Sequence, residues 1–219
     1  GGVICNISSK NPFQMNKVAV SVEGTQQMNV NCNGCVVGGI IGAVNDTVHA
    51  LVDIKDSFIH GSLNVTSKTM DHSAVGGLVG AAANNNELKL TISNNTNNCS
   101  ITTKRIDKVG GIIGTYSNSK NVIEGAELLM NDVNNNQAIS SNDSSIVGGL
   151  IGFIFNIEKI TVTECHNHGH ITVNNTVGGD SVVGGLIGSF TDTMNNLITP
   201  EINMENNFNY GTIDVNSTS

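Results

Sequence analysis

Short stretches in which apolar and polar residues alternate follow one another along the whole chain. Examples are Val18-Ala-Val20-Ser-Val22, Val52-Asp-Ile54, Leu88-Lys-Leu90-Thr-Ile92, Ile160-Thr-Val162 and Ile202-Asn-Met204. Alternation with a period of two in β-branched residues predicts half-buried strands. Turns rich in asparagine and glycine separate these stretches, and good helix formers are scarce. The pattern therefore predicts an all-β protein.

The chain also contains a repeated hexapeptide, Val-Gly-Gly-(Ile/Leu)-(Ile/Val)-Gly. It begins at Val37, Val75, Val109, Val147 and Val183, so successive copies start 38, 34, 38 and 36 residues apart. A clipped copy opens the chain, with Cys5 in place of its last glycine. A third segment reads Gly-x-(Ile/Leu)-x-Val at 61–65, 169–173 and 211–215, with weaker copies at 99–101 and 137–139. Each unit supplies short strands that need stacked neighbours to cover them.

These repeats predict a parallel β-solenoid (β-helix) of about six coils of ~36 residues, with roughly three short strands per coil. The units divide near 1–37, 38–75, 76–109, 110–147, 148–183 and 184–219. We expect one coil per repeat, with two short coils per repeat as the alternative. Neither end of the array carries a polar cap, so we expect a slice of a longer chain or fibre, with further copies or repeats stacked axially.

Two sets of positions recur in every unit. The glycine pairs predict a turn or a close approach that only glycine allows, although the flat strip could also admit another chain or a glycan. These structural glycines are Gly38, Gly39, Gly76, Gly77, Gly110, Gly111, Gly148, Gly149, Gly184 and Gly185. Four residues after each motif comes an Asx residue, which predicts one shared corner and a possible amide ladder. This column is Asp46, Asn84, Asn118, Asn156 and Asp192.

Composition and charge narrow the function. Charged residues make up only 13% of the chain and the formal net charge is −8, which disfavours binding to nucleic acid or to anionic membrane surfaces. The longest apolar stretch is too short for a membrane span. Five cysteines include Cys32 and Cys35, which could form a local disulfide or remain as two inert thiols.

Candidate chemistry is sparse. Cys165, His166, His168 and His170 are weak metal-ligand candidates, because the three histidines would share one face of a strand while Cys165 lies on the other. We favour the other interpretation, an exposed turn that leads into the third segment, and therefore expect no metal site. Eight Asn-x-Ser/Thr sequons lie in predicted turns or on polar strand faces, where glycans are tolerated. They begin at Asn6, Asn45, Asn64, Asn94, Asn98, Asn142, Asn174 and Asn216.

The Val-Gly-Gly-Leu-Ile-Gly units with their Gly-x-Ile-x-Val segments resemble the GLUG repeat, across essentially the whole chain. That family occurs in large secreted or surface-attached proteins, including bacterial adhesins and passenger regions of immunoglobulin A peptidases. The resemblance implies an extracellular or cell-surface scaffold, and it implies no catalytic residue or cofactor. Cys5 in place of a glycine, and the Gln26 region, depart from the pattern.

We therefore predict a non-enzymatic structural or adhesive module, such as a surface stalk, coat or filament component. The alternative is a β-helix carbohydrate-active or protease-passenger domain. Such lyases and hydrolases need acids or bases clustered across adjacent coils, whereas Asp46 and Asp192 are four coils apart in the Asx column. An ice-binding or crystal-binding face is a third interpretation, for which regular Thr ladders are missing.

Overall fold

A computed structural model describes residues 2–8, 12–21, 27–45, 50–85, 87–118, 125–176, 180–191 and 199–217, and for residues 16, 21, 84 and 85 it describes the backbone alone. These residues form strands and turns, and none of them lies in a helix. The strands pair in parallel with the equivalent strands of neighbouring repeats. The predicted all-β parallel solenoid is confirmed.

The described residues form three sheets that run along the solenoid axis. The first has six strands, in the order β1 (Ile4–Ile7), β6 (Ile41–Asn45), β10 (Val79–Asn85), β13 (Ile113–Asn118), β17 (Ile151–Phe155) and β22 (Ile187–Thr191). The second has five strands, β5 (Val36–Gly38), β9 (Ala74–Gly76), β12 (Lys108–Gly110), β16 (Ile146–Gly148) and β21 (Val182–Gly184).

The third sheet has fourteen strands and receives two segments of each coil. The earlier segment forms β2 (Phe13–Asn16), β7 (Leu51–Lys55), β11 (Lys89–Lys104), β14 (Glu127–Asn135), β18 (Lys159–Thr163) and β23 (Glu201–Glu205). The later segment forms β3 (Ala19–Ser21), β4 (Met28–Cys32), β8 (Phe58–Ser67), β15 (Ile139–Asn142), β19 (His166–Asn167), β20 (Ile171–Asn175), β24 (Phe208–Asn209) and β25 (Ile213–Ser217). In one coil β11 is long enough to run through both segments.

Each repeat makes one coil. In the first sheet Ile41 pairs with Ile4 before it and with Val79 after it, so equivalent motif positions lie directly above one another. The alternative of two short coils per repeat is therefore wrong. Six strands in the first sheet correspond to five turns between β1 and β22, and β23 to β25 continue into part of a sixth.

The glycine motif does not form a single strand. β5 ends at Gly38, the chain bends at Gly39 and Ile40, and β6 begins at Ile41, so a full coil has a fourth, very short strand. On an unbroken strand Ile40 and Ile41 would point to opposite faces. Because of the bend and the packing of the neighbouring sheet, both are 0% exposed and both belong to the hydrophobic core. The protein itself covers the apolar pair.

The first coil departs from the predicted alignment. Val18 and Val20 do not belong to the earlier segment of the third sheet, because Phe13 and Met15 pair there with Val52 and Ile54. Val20 pairs instead with Ile59, farther along the coil. Beyond it, Met28 and Val30 pair with Leu63 and Val65, so Met and Val replace the missing Gly-x-Ile-x-Val pattern.

The core is a set of apolar columns inside the solenoid. One column runs from Val52 through Leu90 and Leu128 to Ile160, all of them buried. Among the described residues Tyr116 places a large polar ring inside, where its hydroxyl oxygen lies 2.6 Å from the Leu88 carbonyl oxygen and 2.8 Å from the Glu127 carbonyl oxygen and donates to either one. Burial raises the pKa of Tyr116 far above its ordinary value.

Candidate functional surfaces

The glycine pairs lie where backbones approach most closely. A Cβ atom on Gly111 would run into the carbonyl oxygen of Gly149 in the next coil and would lie 2.6 Å from Cγ of Asn135. The first glycine of each pair is equally confined, since a Cβ on Gly110 would meet the carbonyl oxygen of Ile113. The first glycine of every other full copy is confined in the same way, and Gly77 and Gly149 also face both a carbonyl oxygen and an asparagine side chain, which agrees with the steric interpretation of these glycines.

A ladder of asparagine side chains runs along the axis behind the second glycines. In each step an Nδ2 donates to the Oδ1 of the next asparagine at 2.7 Å. The order is Asn97 to Asn135, Asn135 to Asn167 and Asn167 to Asn209. Each Nδ2 also donates to the backbone carbonyl two residues later in its own chain, at 2.8–3.1 Å. The first three members are 0% exposed. The ladder therefore joins four coils through the interior by fully engaged amides.

The predicted Asx column is only partly a structural unit. Asp46 and Asp192 lie outside the described residues. Asn84 lies within β10, and a register shift pairs Asn118 with Asn85, so the alignment of Asn84 with Asn118 is wrong. Asn156 does adopt a left-handed conformation, with φ of 52°. The axial amide ladder is formed by other asparagines.

A different corner has the left-handed conformation in every coil. It follows the earlier segment of the third sheet, and its six residues have φ between 50° and 56°. These are Lys17, Asp56, Asn94, Asp132, Glu164 and Asn206. Four of the six are Asx residues, the type that best tolerates this conformation. Counting residues from the glycine motif misses this corner because the loops before it vary in length.

All eight sequon asparagines are at least partly exposed. Asn94 occupies the left-handed corner and is exposed. Asn142, Asn174 and Asn216 stack on the outer face of the third sheet, where each amide donates to the previous one at 3.1 Å. The remaining acceptors lie on or at the ends of strands in the first and third sheets.

The cysteines fall into three environments. Cys32 and Cys35 form a disulfide, with Cα atoms 6.0 Å apart. Cys5 is an exposed thiol, and Cys99 and Cys165 are buried thiols. Burial raises the pKa of both buried thiols from 9.0 to about 11. Such thiols are protonated and inert near neutral pH.

The candidate metal ligands separate as their alternation predicts. Cys165 is buried and its thiol donates to the Thr163 carbonyl, whereas His166, His168 and His170 face outward. His168 stacks on Tyr210 with ring centroids 4.8 Å apart, and Nε2 of His170 lies 3.2 Å from a carboxylate oxygen of Asp214. Within the described ranges no three His, Cys, Asp or Glu side chains are grouped so that they could hold a metal ion.

A groove with a volume of about 720 Å³ lies on the outside of the solenoid, where the first and second sheets meet. Its floor is low because alanines line it, and Phe153 and Phe155 form a raised wall with ring centroids 6.0 Å apart and ring planes within 19°. The Lys108 ammonium lies 5.3 Å from the Phe153 centroid and pairs with Asp107. Thr115 also lines the groove, and its hydroxyl oxygen is buried without a hydrogen-bond partner among the described residues.

No motif in the sequence predicts this groove. Its lining side chains come from outward positions of different coils, which are 34 to 38 residues apart in the chain and carry no shared motif. One signal was available. The second residue after the last motif glycine is buried in each coil, as Val44, Ala82, Tyr116 and Ile154. The residue just before it points outward and varies in size, from Ala81 to Thr115 to Phe153.

Comparison with protein-family models, with curated proteins and with solved structures found no match to this chain. The resemblance to the GLUG repeat therefore stays a prediction. In the part of the chain that the structure describes, no helix has the length and apolar character needed to cross a membrane. The class that the fold itself defines is the parallel β-solenoid.

Proposed function

We propose that this β-solenoid is an extracellular structural or adhesive module, a component of a surface stalk, coat or filament. The observation that carries the proposal is that each coil contacts the next through the same set of interactions along the whole axis. Parallel strand pairing, glycine columns and a buried amide ladder all run along the axis. Such an architecture can be lengthened by adding coils without changing any contact already made.

The coil formed by β23, β24 and β25 has an apolar face that suits axial stacking of an equivalent coil. Its side chains Ile202, Met204, Ile213 and Val215 align with buried residues of the preceding coil but are 40–51% exposed. A further coil on this face would bury them and would pair the free backbone groups of the strands. We propose that further repeats or a second copy of the chain stack there, and that a contact of this heterologous kind propagates into a filament.

Two features support an extracellular location. The Cys32–Cys35 disulfide fits an oxidising compartment, where such bonds persist. The sequon asparagines are accessible, and N-linked glycans would help a surface with only 13% charged residues to stay soluble. The resemblance to the GLUG repeat points in the same direction.

Surface labelling of intact source cells tests the location. A membrane-impermeant biotinylation reagent should label the protein before the cells are permeabilised, and a cytosolic protein measured in the same sample serves as the control. Labelling that appears only after permeabilisation would contradict the extracellular proposal.

Axial stacking is tested with two lysine variants of the purified chain. Ile202→Lys places a charge on the exposed end face and should abolish concentration-dependent association in analytical ultracentrifugation. Asn203→Lys places the same charge on the outward side of the same strand and should associate like the parent. A parent chain that remains a 22.9 kDa monomer at every concentration would overturn the stacking proposal.

A further inference from the structure

The groove between the first and second sheets has the features of a ligand site rather than of an ordinary depression between strands. Four adjacent strands of the first sheet, β6, β10, β13 and β17, contribute lining residues. Three strand spacings of about 4.8 Å give the groove a length of about 14 Å. Its volume of about 720 Å³ lies within the usual range for small-molecule sites.

The lining combines flat apolar surface with isolated polar groups. Ala74, Ala81 and Ala83 leave open space where larger outward side chains would fill the corner. Phe153 and Phe155 are only half-buried, so parts of both rings remain available for contact. Ser117 also lines the groove and is only half-buried, so it offers a polar side chain to a ligand.

The charges in the groove favour a neutral ligand. Its ionisable side chains among the described residues are His72 and Lys108. The Lys108 ammonium is already paired with Asp107 and lies over the Phe153 ring, so it is not free to neutralise an anion. The net charge of −8 further disfavours phosphate-bearing or acidic-sugar ligands.

The backbone disfavours a peptide ligand. In the strands that line the groove, the backbone N–H and C=O groups are hydrogen-bonded to neighbouring coils, since Ala81 pairs with both Ala43 and Thr115. A strand laid against the side of the solenoid would therefore find no main-chain partners, and strand addition is not available there. Recognition has to come from side chains.

We propose that this groove binds a short neutral oligosaccharide. A pyranose ring presents C–H groups on its faces and hydroxyls around its rim, so its faces suit the exposed parts of Phe153 and Phe155 while its hydroxyls suit the polar side chains of Ser117 and Asn45. The length of the groove fits several sugar rings rather than one. Sugar binding supplies a ligand for the adhesive role proposed above, and its biological meaning rests on that proposed function. The binding can nevertheless be measured on the purified chain alone.

The test is calorimetric titration of the purified chain with four neutral trisaccharides, namely cellotriose, maltotriose, mannotriose and chitotriose. Protein made in a host without N-glycosylation keeps Asn45, which lines the groove, free of its own glycan. We expect at least one of the four to bind with a stoichiometry of one. Binding of none of them would overturn the proposal, as would binding only of acidic trisaccharides added as a comparison.

Three variants locate the binding. Phe155→Ala removes half of the aromatic wall and Ala83→Leu fills the floor, and each should weaken binding at least about tenfold. Thr191→Leu is the matched control, because Thr191 pairs with Phe155 in the same outward column but lies one coil beyond the groove. Thermal unfolding curves of each variant and the parent show whether each variant is folded.

Equal loss of binding in Thr191→Leu, or unchanged binding in both groove variants, would contradict the assignment of the groove. These binding outcomes do not test the proposed extracellular role, which depends on surface labelling. A chain that is surface-labelled but binds no neutral sugar refutes this inference alone, and a sugar-binding chain that is labelled only in permeabilised cells refutes the extracellular role alone.

Discussion

The buried asparagine ladder can be tested at Asn135, its second member. The Nδ2 of this side chain donates to Oδ1 of Asn167 at 2.7 Å and to the Gln137 carbonyl at 3.0 Å, and its Oδ1 accepts from Asn97 at 2.7 Å. Replacing Asn135 with alanine removes all three hydrogen bonds. It also interrupts the ladder between its first and third members.

The expected cost follows from that geometry. A net contribution of about 1 kcal/mol for each hydrogen bond gives a loss of about 3 kcal/mol in the free energy of unfolding. The buried Asn97 amide keeps its bond to the Cys99 carbonyl and Asn167 Oδ1 keeps the Gly169 N–H, so neither is wholly unpaired. For a chain of this size, about 3 kcal/mol corresponds to a decrease of about 6–12 °C in Tm.

Thermal and urea unfolding monitored by circular dichroism would measure this loss. Asn136→Ala is the matched control, since Asn136 is the exposed neighbour and makes a single amide bond to Asn98 at the surface. We expect the control to stay within about 0.5 kcal/mol of the parent. Equal stability of the two variants would refute the reasoning, because the ladder would then contribute no more than a surface contact.

Three further predictions concern the glycine columns, the thiols and the glycans. Gly149→Ala should destabilise the fold by about 1–3 kcal/mol, because its Cβ would meet the Gly185 carbonyl and lie 2.6 Å from the Asn167 amide; a melting temperature unchanged from the parent would contradict this. The buried thiols Cys99 and Cys165 have pKa values of about 11 rather than 9.0, so unfolded thiols ionise first and stability should fall as the pH rises from about 9 to 11, as alkaline urea titrations would measure. In material from a eukaryotic source, intact mass and glycopeptide analysis should find glycans at least at Asn64 and Asn174.

Repetition made the architecture predictable. A hexapeptide that returns at nearly constant spacing implies equivalent positions, and equivalent positions in stacked coils pair with one another. The pairing of Val109 with Val75 and with Val147 follows directly from aligning the motif copies. The packing of the glycine pairs follows as well, because a residue without a side chain in every coil implies a close approach in every coil.

Positions distant from the motif were harder to predict. Residues that pair between β11 and β14 are 38 positions apart in the chain, whereas residues that pair between β14 and β18 are 32 positions apart. The turns absorb these differences, so a fixed offset from the motif loses register within a coil. The register shift after Ala82 displaces Asn84 for the same reason. With 33 asparagines in the chain, an offset count readily finds an Asx residue without finding the same structural position.

The ladder illustrates a constraint that acts between coils rather than within one repeat. Its column begins with apolar residues, since Val20 pairs with Ile59 and Ile59 pairs with Asn97. From Asn97 onward the same position holds an amide in four successive coils, because an isolated buried amide would leave donor and acceptor capacity unused. Neighbouring amides satisfy each other, so polar members of a buried column are favoured in consecutive runs. A pattern of this kind is visible only after the coils have been aligned correctly, which is why the repeat was predictable from the sequence and the ladder was not.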